Sequence, residues 1–164
     1  MTTFKALESS KEEDQNTLSI IEKNIDNLPD GDILIKVSYS SLNYKDALSA
    51  TGSPGVTKNY PHTPGIDAVG QVQESSDSAF KEGDEVIVTG YDLGMNTAGG
   101  FGQYIRVPAH WVIKLPNGLN EIEAMSLGTA GLTAGLSIQA LEKYSSTTGS
   151  VSYTHLTLPT RAQV

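Results

Sequence analysis

Three short segments of the sequence carry side chains whose types and spacing suit ligand binding and proton transfer. Residues 40–48 (SSLNYKDAL) combine an amide, a phenol and charged groups. Residues 61–70 (PHTPGIDAVG) place prolines and glycines around one carboxylate, and residues 128–135 (GTAGLTAG) are small. Polar groups at strand ends and on loops commonly reach ligands. These segments are therefore the first candidates for a functional site.

The chain has no cysteine, which excludes disulfides, thiol catalysis, iron–sulfur clusters and zinc sites built on sulfur. Its three histidines are His62, His110 and His155. Histidine and carboxylates remain the possible protein ligands for a transition metal. We predict that His62 and His110 are surface or hydrogen-bonding histidines and that the chain binds no metal.

The charge and the apolar runs exclude other classes of function. A net charge of −8 without clustered Lys and Arg argues against binding of nucleic acid. Apolar runs are broken well before the roughly 20 residues that span a bilayer. The N-terminus lacks the pattern of a signal peptide. We therefore predict a cytoplasmic protein that does not enter a membrane.

The elements that must position the three segments are mainly strands. Residues 33–39 (ILIKVSY) follow a turn cluster at 29–32 (PDGD) and are rich in β-branched residues, which predicts a strand. Many short strands at this spacing favour a barrel or sandwich. Similar runs predict strands at 4–7, 66–72, 85–89, 101–107 and 112–115.

The pattern changes after Gly118, where helix-forming residues dominate. Asn120 and Glu123 have capping-box spacing, which predicts a helix over residues 121–127. Leu132 and Leu136 begin an apolar stripe that predicts a second helix over residues 132–144. The fold class predicted is mainly β with C-terminal helices, that is, α+β.

The last 14 residues, 151–164 (VSYTHLTLPTRAQV), break the pattern. In an α/β protein a strand would follow the linker at 145–149, yet the run from 151 to 160 resembles the in-frame translation of a sequencing-library adapter. We expect residues 151–164 to be non-native, and a genuine edge strand or tail is the alternative. Genomic reads across Ser150 distinguish the two.

The three segments, with residues 83–86 (GDEV) and 99–104 (GGFGQY), resemble the N-terminal part of the medium-chain dehydrogenase/reductase superfamily. The narrower resemblance is to its zinc-free acrylyl-CoA reductase branch, often labelled quinone oxidoreductase-like. The most specific motifs are Ser-x-Leu-Asn-Tyr-Lys-Asp and Pro-Gly-Ile-Asp. The resemblance covers residues 1–150. It implies a GroES-like, partly open β-barrel at 1–117 and helices at 118–150 that lead into a Rossmann domain before which the chain is truncated.

The resemblance also implies chemistry without zinc. Zinc-dependent members have Gly-His-Glu-x-x-Gly where this chain has GIDAVG at 65–70, and a cysteine near the position of Asn43. The implied reaction is reduction of an enoyl thioester, with hydride from NADPH adding to the β-carbon. Hydrogen-bond donors stabilise the enolate oxygen, and a tyrosine or water protonates the α-carbon.

Site residues follow from the same resemblance. It implies catalytic roles for Tyr44, Asn43 and Asp67, with Tyr44 beside the nicotinamide end of NADPH and Asn43 donating to substrate or cofactor. Thr129 and Thr133 are weaker candidates for binding the cofactor, and helix capping is their alternative.

Each catalytic candidate has a structural alternative as well. Tyr44 would be a half-buried aromatic with a satisfied hydroxyl, and Asn43 a turn residue bonded to its own backbone. Asp67 would hold either Lys45 or a loop amide. We expect Lys45 and Asp46 themselves to be solvated or ion-paired supports.

The resemblance implies a small-molecule partner, either an acyl-CoA thioester or a quinone, and a homodimeric parent. Reduction of a quinone or enone in the same superfamily is one alternative function. A GroES-like binding module without catalysis is another. The isolated chain, without a dinucleotide-binding domain, is expected to bind NADPH poorly and to be inactive.

Overall fold

The computed structural model describes residues 2–12 and 15–148. The prediction of a mainly β fold with helices at the C-terminal end is confirmed. Short 3₁₀ turns lie at Ile25–Asn27 and Ala109–Trp111. The elements are β1 (Thr3–Glu12), β2 (Gln15–Asn24), β3 (Ile33–Tyr39), α1 (Tyr44–Ala50), β4 (Asp67–Ser75), β5 (Glu85–Thr89), β6 (Tyr104–Val107), β7 (Val112–Lys114) and α2 (Glu121–Thr148).

The chain divides into two compact units, Met1–Gly131 and Leu132–Val164. The first contains all the strands, α1 and the start of α2. The described part of the second is helical, with half-exposed apolar side chains such as Leu132 and Leu136. The prediction for residues 151–164 lies outside the described residues. No helix in the described ranges is both long and apolar enough to cross a bilayer.

Five strands form an antiparallel sheet in the order β6-β3-β4-β5-β7. The register places Ile35 opposite Val72 on β4 and opposite Ile105 on β6. β4, the central strand, pairs with β5 so that Asp67 lies opposite Thr89 and Val69 opposite Ile87. Because both its edges are paired, β4 holds its side chains in fixed positions.

The start of β4 is buried on both faces, and this decides where Asp67 points. Ala68 and Val72 belong to the larger apolar cluster, together with residues of the other four strands. Val69 and Ile87 pack on the opposite face against Ala124 and Met125 of α2. Since side chains alternate along a strand, Asp67 shares the face of Val69 and points toward α2.

β1 and β2 form a separate two-stranded hairpin that the sequence pattern foretold only in part. The prediction of a strand at 4–7 falls within β1, but the length of β1 and the whole of β2 were not predicted. β2 is mostly exposed, so it lacks the apolar alternation that marks a half-buried strand. Leu7 N–H donates to the Phe101 carbonyl over 2.8 Å, which attaches β1 to a loop of the main sheet.

His62 provides the second attachment of β1. Its backbone exchanges two hydrogen bonds with Ser9, each of 2.8 Å. Its side chain is only 5% exposed, and Nε2 has no hydrogen-bond partner among the described residues. Burial lowers the pKa of His62, while a hydrogen bond to the Gly94 backbone raises it less. The fold therefore favours the neutral form of this imidazole.

We expect the stability of the chain to fall as the pH is lowered from about 7 to about 5, near the ordinary pKa of histidine. In the unfolded chain, His62 takes up a proton near its ordinary pKa of 6.5. In the folded chain the buried His62 is protonated only at lower pH, because its pKa is lowered. The urea midpoint of His62→Asn should depend less on pH. His110→Asn, at an exposed site, is the matched control and should follow wild type. Equal pH slopes for wild type and His62→Asn would contradict the argument.

Candidate functional site

Tyr44 is the first residue of α1, and its side chain faces solvent. The preceding residue, Asn43, is extended with φ −119° and ψ 157°, so the chain turns into the helix there. Tyr44 is 80% exposed, and its hydroxyl has no hydrogen-bond partner in the described part of the chain. The alternative of a half-buried tyrosine with a satisfied hydroxyl is therefore wrong. The phenol is available to a ligand.

Asp46 follows Tyr44 by two residues in α1 and is 1% exposed. One carboxylate oxygen accepts the N–H groups of Gly65 and Ile66 at 3.2 and 2.8 Å, and the other accepts Asn43 N–H at 2.8 Å. The expectation of a solvated or ion-paired Asp46 is wrong. Three backbone amides offset the cost of burying its carboxylate.

The Asp67 carboxylate is completely buried and joins three segments of the chain. Oδ2 accepts the Ser41 hydroxyl, the side-chain amide of Asn43 at 2.9 Å and Thr129 N–H at 2.9 Å. Oδ1 accepts the Thr129 hydroxyl at 2.6 Å. Lys45 is exposed and forms no ion pair with Asp67, and the backbone amide that Asp67 binds is that of Thr129, within α2 and not in a loop.

The side-chain amide of Asn43 faces into this network. Its nitrogen lies within hydrogen-bond distance of Asp67 Oδ2 at 2.9 Å and of the Ser41 hydroxyl oxygen at 3.0 Å. A carboxylate only accepts hydrogen bonds, so the amide nitrogen and not the amide oxygen must face Asp67. The side-chain amide that the resemblance assigns to a substrate or cofactor therefore donates to Asp67 in this structure.

Gly128 is the point where α2 departs from helical geometry, with φ 50° and ψ −156°. The Thr129 amide that follows begins a new helical segment and needs an acceptor from outside the helix. Asp67 supplies it, as a capping carboxylate does at a helix N-terminus. A Cβ at Gly128 would lie 2.8 Å from both Asp67 Oδ2 and Ser41 Oγ. Backbone conformation and space both require glycine here.

The candidate residues are thus only partly brought together. Asn43, Asp67 and Thr129 form one hydrogen-bonded network next to Tyr44. Thr133 belongs to the second unit, where its carbonyl accepts the Ser137 hydroxyl at 2.8 Å. The catalytic and cofactor-binding roles of all five candidates remain predictions.

Two participants were not singled out from the sequence. Ser41 is two residues before Asn43, so both side chains reach the same carboxylate across the turn into α1. Gly128 interrupts a run of helix formers, and that interruption is the signal that marks a kink.

A groove of about 510 Å³ lies beside this network. Ser40 is part of its wall, and the Ser40 hydroxyl donates to the Asp67 carbonyl over 2.6 Å. The lining is mainly apolar, which suits an uncharged portion of a small molecule. The other lining residues are Lys5, Ala6, Leu7, Ile20, Val37, Ser38, Tyr39, Gly100, Phe101, Gly102 and Gln103.

Comparison with known proteins identifies relatives of known class. The family model described as the alcohol dehydrogenase GroES-like domain matches residues 29–117. The putative quinone oxidoreductase YhfP of Bacillus subtilis is 44% identical over 142 residues, which cover 87% of this chain and 43% of the relative. The acrylyl-CoA reductase AcuI of Ruegeria pomeroyi is 40% identical over 148 residues, 89% of this chain and 45% of the relative.

Solved structures agree with the sequence comparison. The yhdH oxidoreductase of Salmonella enterica in complex with NADP matches with a TM-score of 0.83 and 41% identity, over 85% of this chain and 43% of that one. Bacillus subtilis yhfP with NAD bound matches with a TM-score of 0.84 and 43% identity, over 87% and 44%. The chain spans less than half the length of these relatives.

The two buried carboxylates should respond differently to amidation. Asp46→Asn should lower the free energy of unfolding by about 2 kcal/mol, because its new NH₂ group must face a backbone N–H that cannot reverse. Asp67→Asn should cost about 1 kcal/mol or less, because the Thr129 hydroxyl can turn to accept. Urea denaturation measures both.

Asp30→Asn, at an exposed aspartate, is the control for these amidations and should stay within about 0.5 kcal/mol of wild type. A loss at Asp67→Asn as large as that at Asp46→Asn would contradict the assigned hydrogen bonds.

Gly128→Ala should destabilise the chain by about 2 kcal/mol, because the new Cβ meets Asp67 and Ser41 and the backbone is strained. Gly135→Ala is the matched control, since a Cβ there meets no atom within 4 Å in the same helix. That variant should gain about 0.5–1 kcal/mol. Thermal denaturation of the pair checks this, and a neutral Gly128→Ala would be the contrary result.

Proposed function

We propose, because the chain belongs to the family of alcohol dehydrogenase GroES-like domains, that it is the N-terminal part of a zinc-free, NADPH-dependent reductase. Its acceptor is an activated carbon–carbon double bond in an enoyl thioester of the acrylyl-CoA type. The observation that carries this proposal is Tyr44, whose phenol is exposed while the residues around it form a closed network. The acrylyl-CoA reductase AcuI supports the acceptor class.

The exposed ring of Tyr44 fits the nicotinamide end of a cofactor, because an aromatic face and a hydroxyl stand together at the surface. Thr129 contributes less directly, since its hydroxyl donates to Asp67 and its backbone amide is held by the same carboxylate. Thr133 is the further candidate on the helix. NADPH, when bound, supplies the hydride that adds to the β-carbon.

We assign proton donation to the substrate to Tyr44. As hydride adds to the β-carbon, negative charge develops on the thioester oxygen, and the Tyr44 hydroxyl can donate a hydrogen bond to it. The same hydroxyl can deliver a proton to the α-carbon, directly or through one water. The absence of cysteine and the isoleucine at position 66 support a mechanism without zinc.

Two alternatives remain distinct from this proposal. Reduction of a quinone or enone by the same hydride transfer is favoured by the YhfP relative, which carries the name quinone oxidoreductase. A GroES-like module that only binds a partner would need neither the exposed Tyr44 nor the network beneath it. For the whole protein we propose a cytoplasmic homodimer with small-molecule partners.

The test uses the longer polypeptide encoded by the source gene, assayed for oxidation of NADPH with acrylyl-CoA and with a benzoquinone. Tyr44→Phe keeps the ring and removes the proton donor, so kcat should fall by about 100-fold, the scale of general acid catalysis. The KM for NADPH should change little.

Tyr91→Phe is the matched control, because Tyr91 is also exposed but its hydroxyl donates to the His110 carbonyl. It should retain wild-type kcat. Faster turnover with the quinone would favour the alternative acceptor, and no turnover with either would favour the binding module. The isolated 164-residue chain should show no turnover, and appreciable activity there would contradict the proposal.

A further inference from the structure

We infer that Asp67 is a positioning residue, whose carboxylate holds the Tyr44 loop and Thr129 in one arrangement. This inference rests on the proposed function for its effect on turnover. Its structural part is independent of that function. Asp67 has no exposed surface, so it acts through the groups that it binds and does not touch a ligand itself.

The Asp67 carboxylate is a shared hydrogen-bond acceptor. Four donors converge on one carboxylate, from Ser41, Asn43 and both the amide and the hydroxyl of Thr129. These donors are separated by up to 88 positions in the sequence, so no local preference places them together. Each is oriented by the same buried group, and such a network gives its members one geometry.

The negative charge of Asp67 is stabilised by hydrogen-bond donors. The structure contains no ion pair to Asp67 in the described ranges, so its stabilisation comes from hydrogen bonds and from the start of the helix that follows Gly128. Because all these partners donate, every one of them must turn its hydrogen toward the carboxylate. This fixes the side-chain amide of Asn43 in a single orientation.

The orientation of the Asn43 side chain affects Tyr44. Asn43 immediately precedes Tyr44, and its backbone N–H is held at the same time by Asp46. Asp67 therefore binds the side chain of Asn43, and Asp46 binds its backbone N–H. Tyr44 follows this doubly held residue as the first residue of α1. A displacement of about 1 Å at a reacting group can cost about 100-fold in rate.

The structural test uses the 164-residue chain and amide hydrogen exchange followed by NMR. In Asp67→Ala the Thr129 amide and the Asn43 side-chain amide should exchange at least about 10-fold faster, because both lose their acceptor. The amides of β4 and β5 should stay within about twofold of wild type. In Asp67→Asn both amides should remain protected, because its oxygen can take the place of Oδ2.

If Asp67→Ala does not fold, Ser41→Ala and Asn43→Ser test the same network from the loop. Asn43→Ser should shift the Tyr44 resonances, and Ser41→Ala should speed exchange of the Asn43 side-chain amide by about threefold or more. Asp30→Ala is the control. Unchanged exchange in all network variants, or equal acceleration throughout the strands, would overturn the inference.

The functional test uses the longer polypeptide. Asp67→Ala should lower kcat by about 100-fold with the KM for NADPH within about twofold, and Asp67→Asn should restore kcat to within about threefold of wild type. Equal loss in both variants would overturn a positioning role. If wild type shows no turnover, the proposed function fails, while the exchange measurements still decide the structural inference.

Discussion

The buried carboxylate of Asp67 is the constraint on which the rest of the candidate site depends. A charge removed from water needs compensation, and here it comes from four donors on two segments, the loop at 41–43 and Thr129. The strand that carries Asp67 is paired with β5 at that residue and with β3 from Val69 onward, so the sheet holds the acceptor in place. The loop at 41–43 and the Thr129 amide must instead come to the carboxylate.

Asp46 and Asp67 have different structural roles because they accept hydrogen bonds from different groups. Asp46 binds only backbone amides, and so holds the start of α1 against residues 65 and 66. Asp67 binds side chains and the first amide after a helix kink. The 41–46 segment is therefore held from two sides, while Tyr44 remains at the surface. A rigid support beneath one exposed phenol is the arrangement that a reaction requiring accurate placement would use.

Much of this architecture could be predicted from local sequence. The strand at 33–39 was predicted with its observed bounds, because turn residues precede a β-branched run. The helix α1 was missed, since a seven-residue helix within a polar segment has little apolar periodicity. β2 was missed for a related reason, because its side chains are mostly exposed. Motif resemblance indicated Asn43, Tyr44 and Asp67, but it could not say which of them faces outward.

By itself, the sequence determined the mainly β character with C-terminal helices, the lack of sulfur ligands and the family to which the chain belongs, because these depend on residue type and short-range spacing. Only the tertiary structure decided that Asp46 is buried, that the side-chain amide of Asn43 faces Asp67 and that Thr129 is held by Asp67. The physical reason is that hydrogen-bond partners far apart in the chain are chosen by the pairing and packing of strands. An aspartate on an exposed loop is a solvated charge. A buried aspartate in a central strand, such as Asp67, is instead a structural anchor.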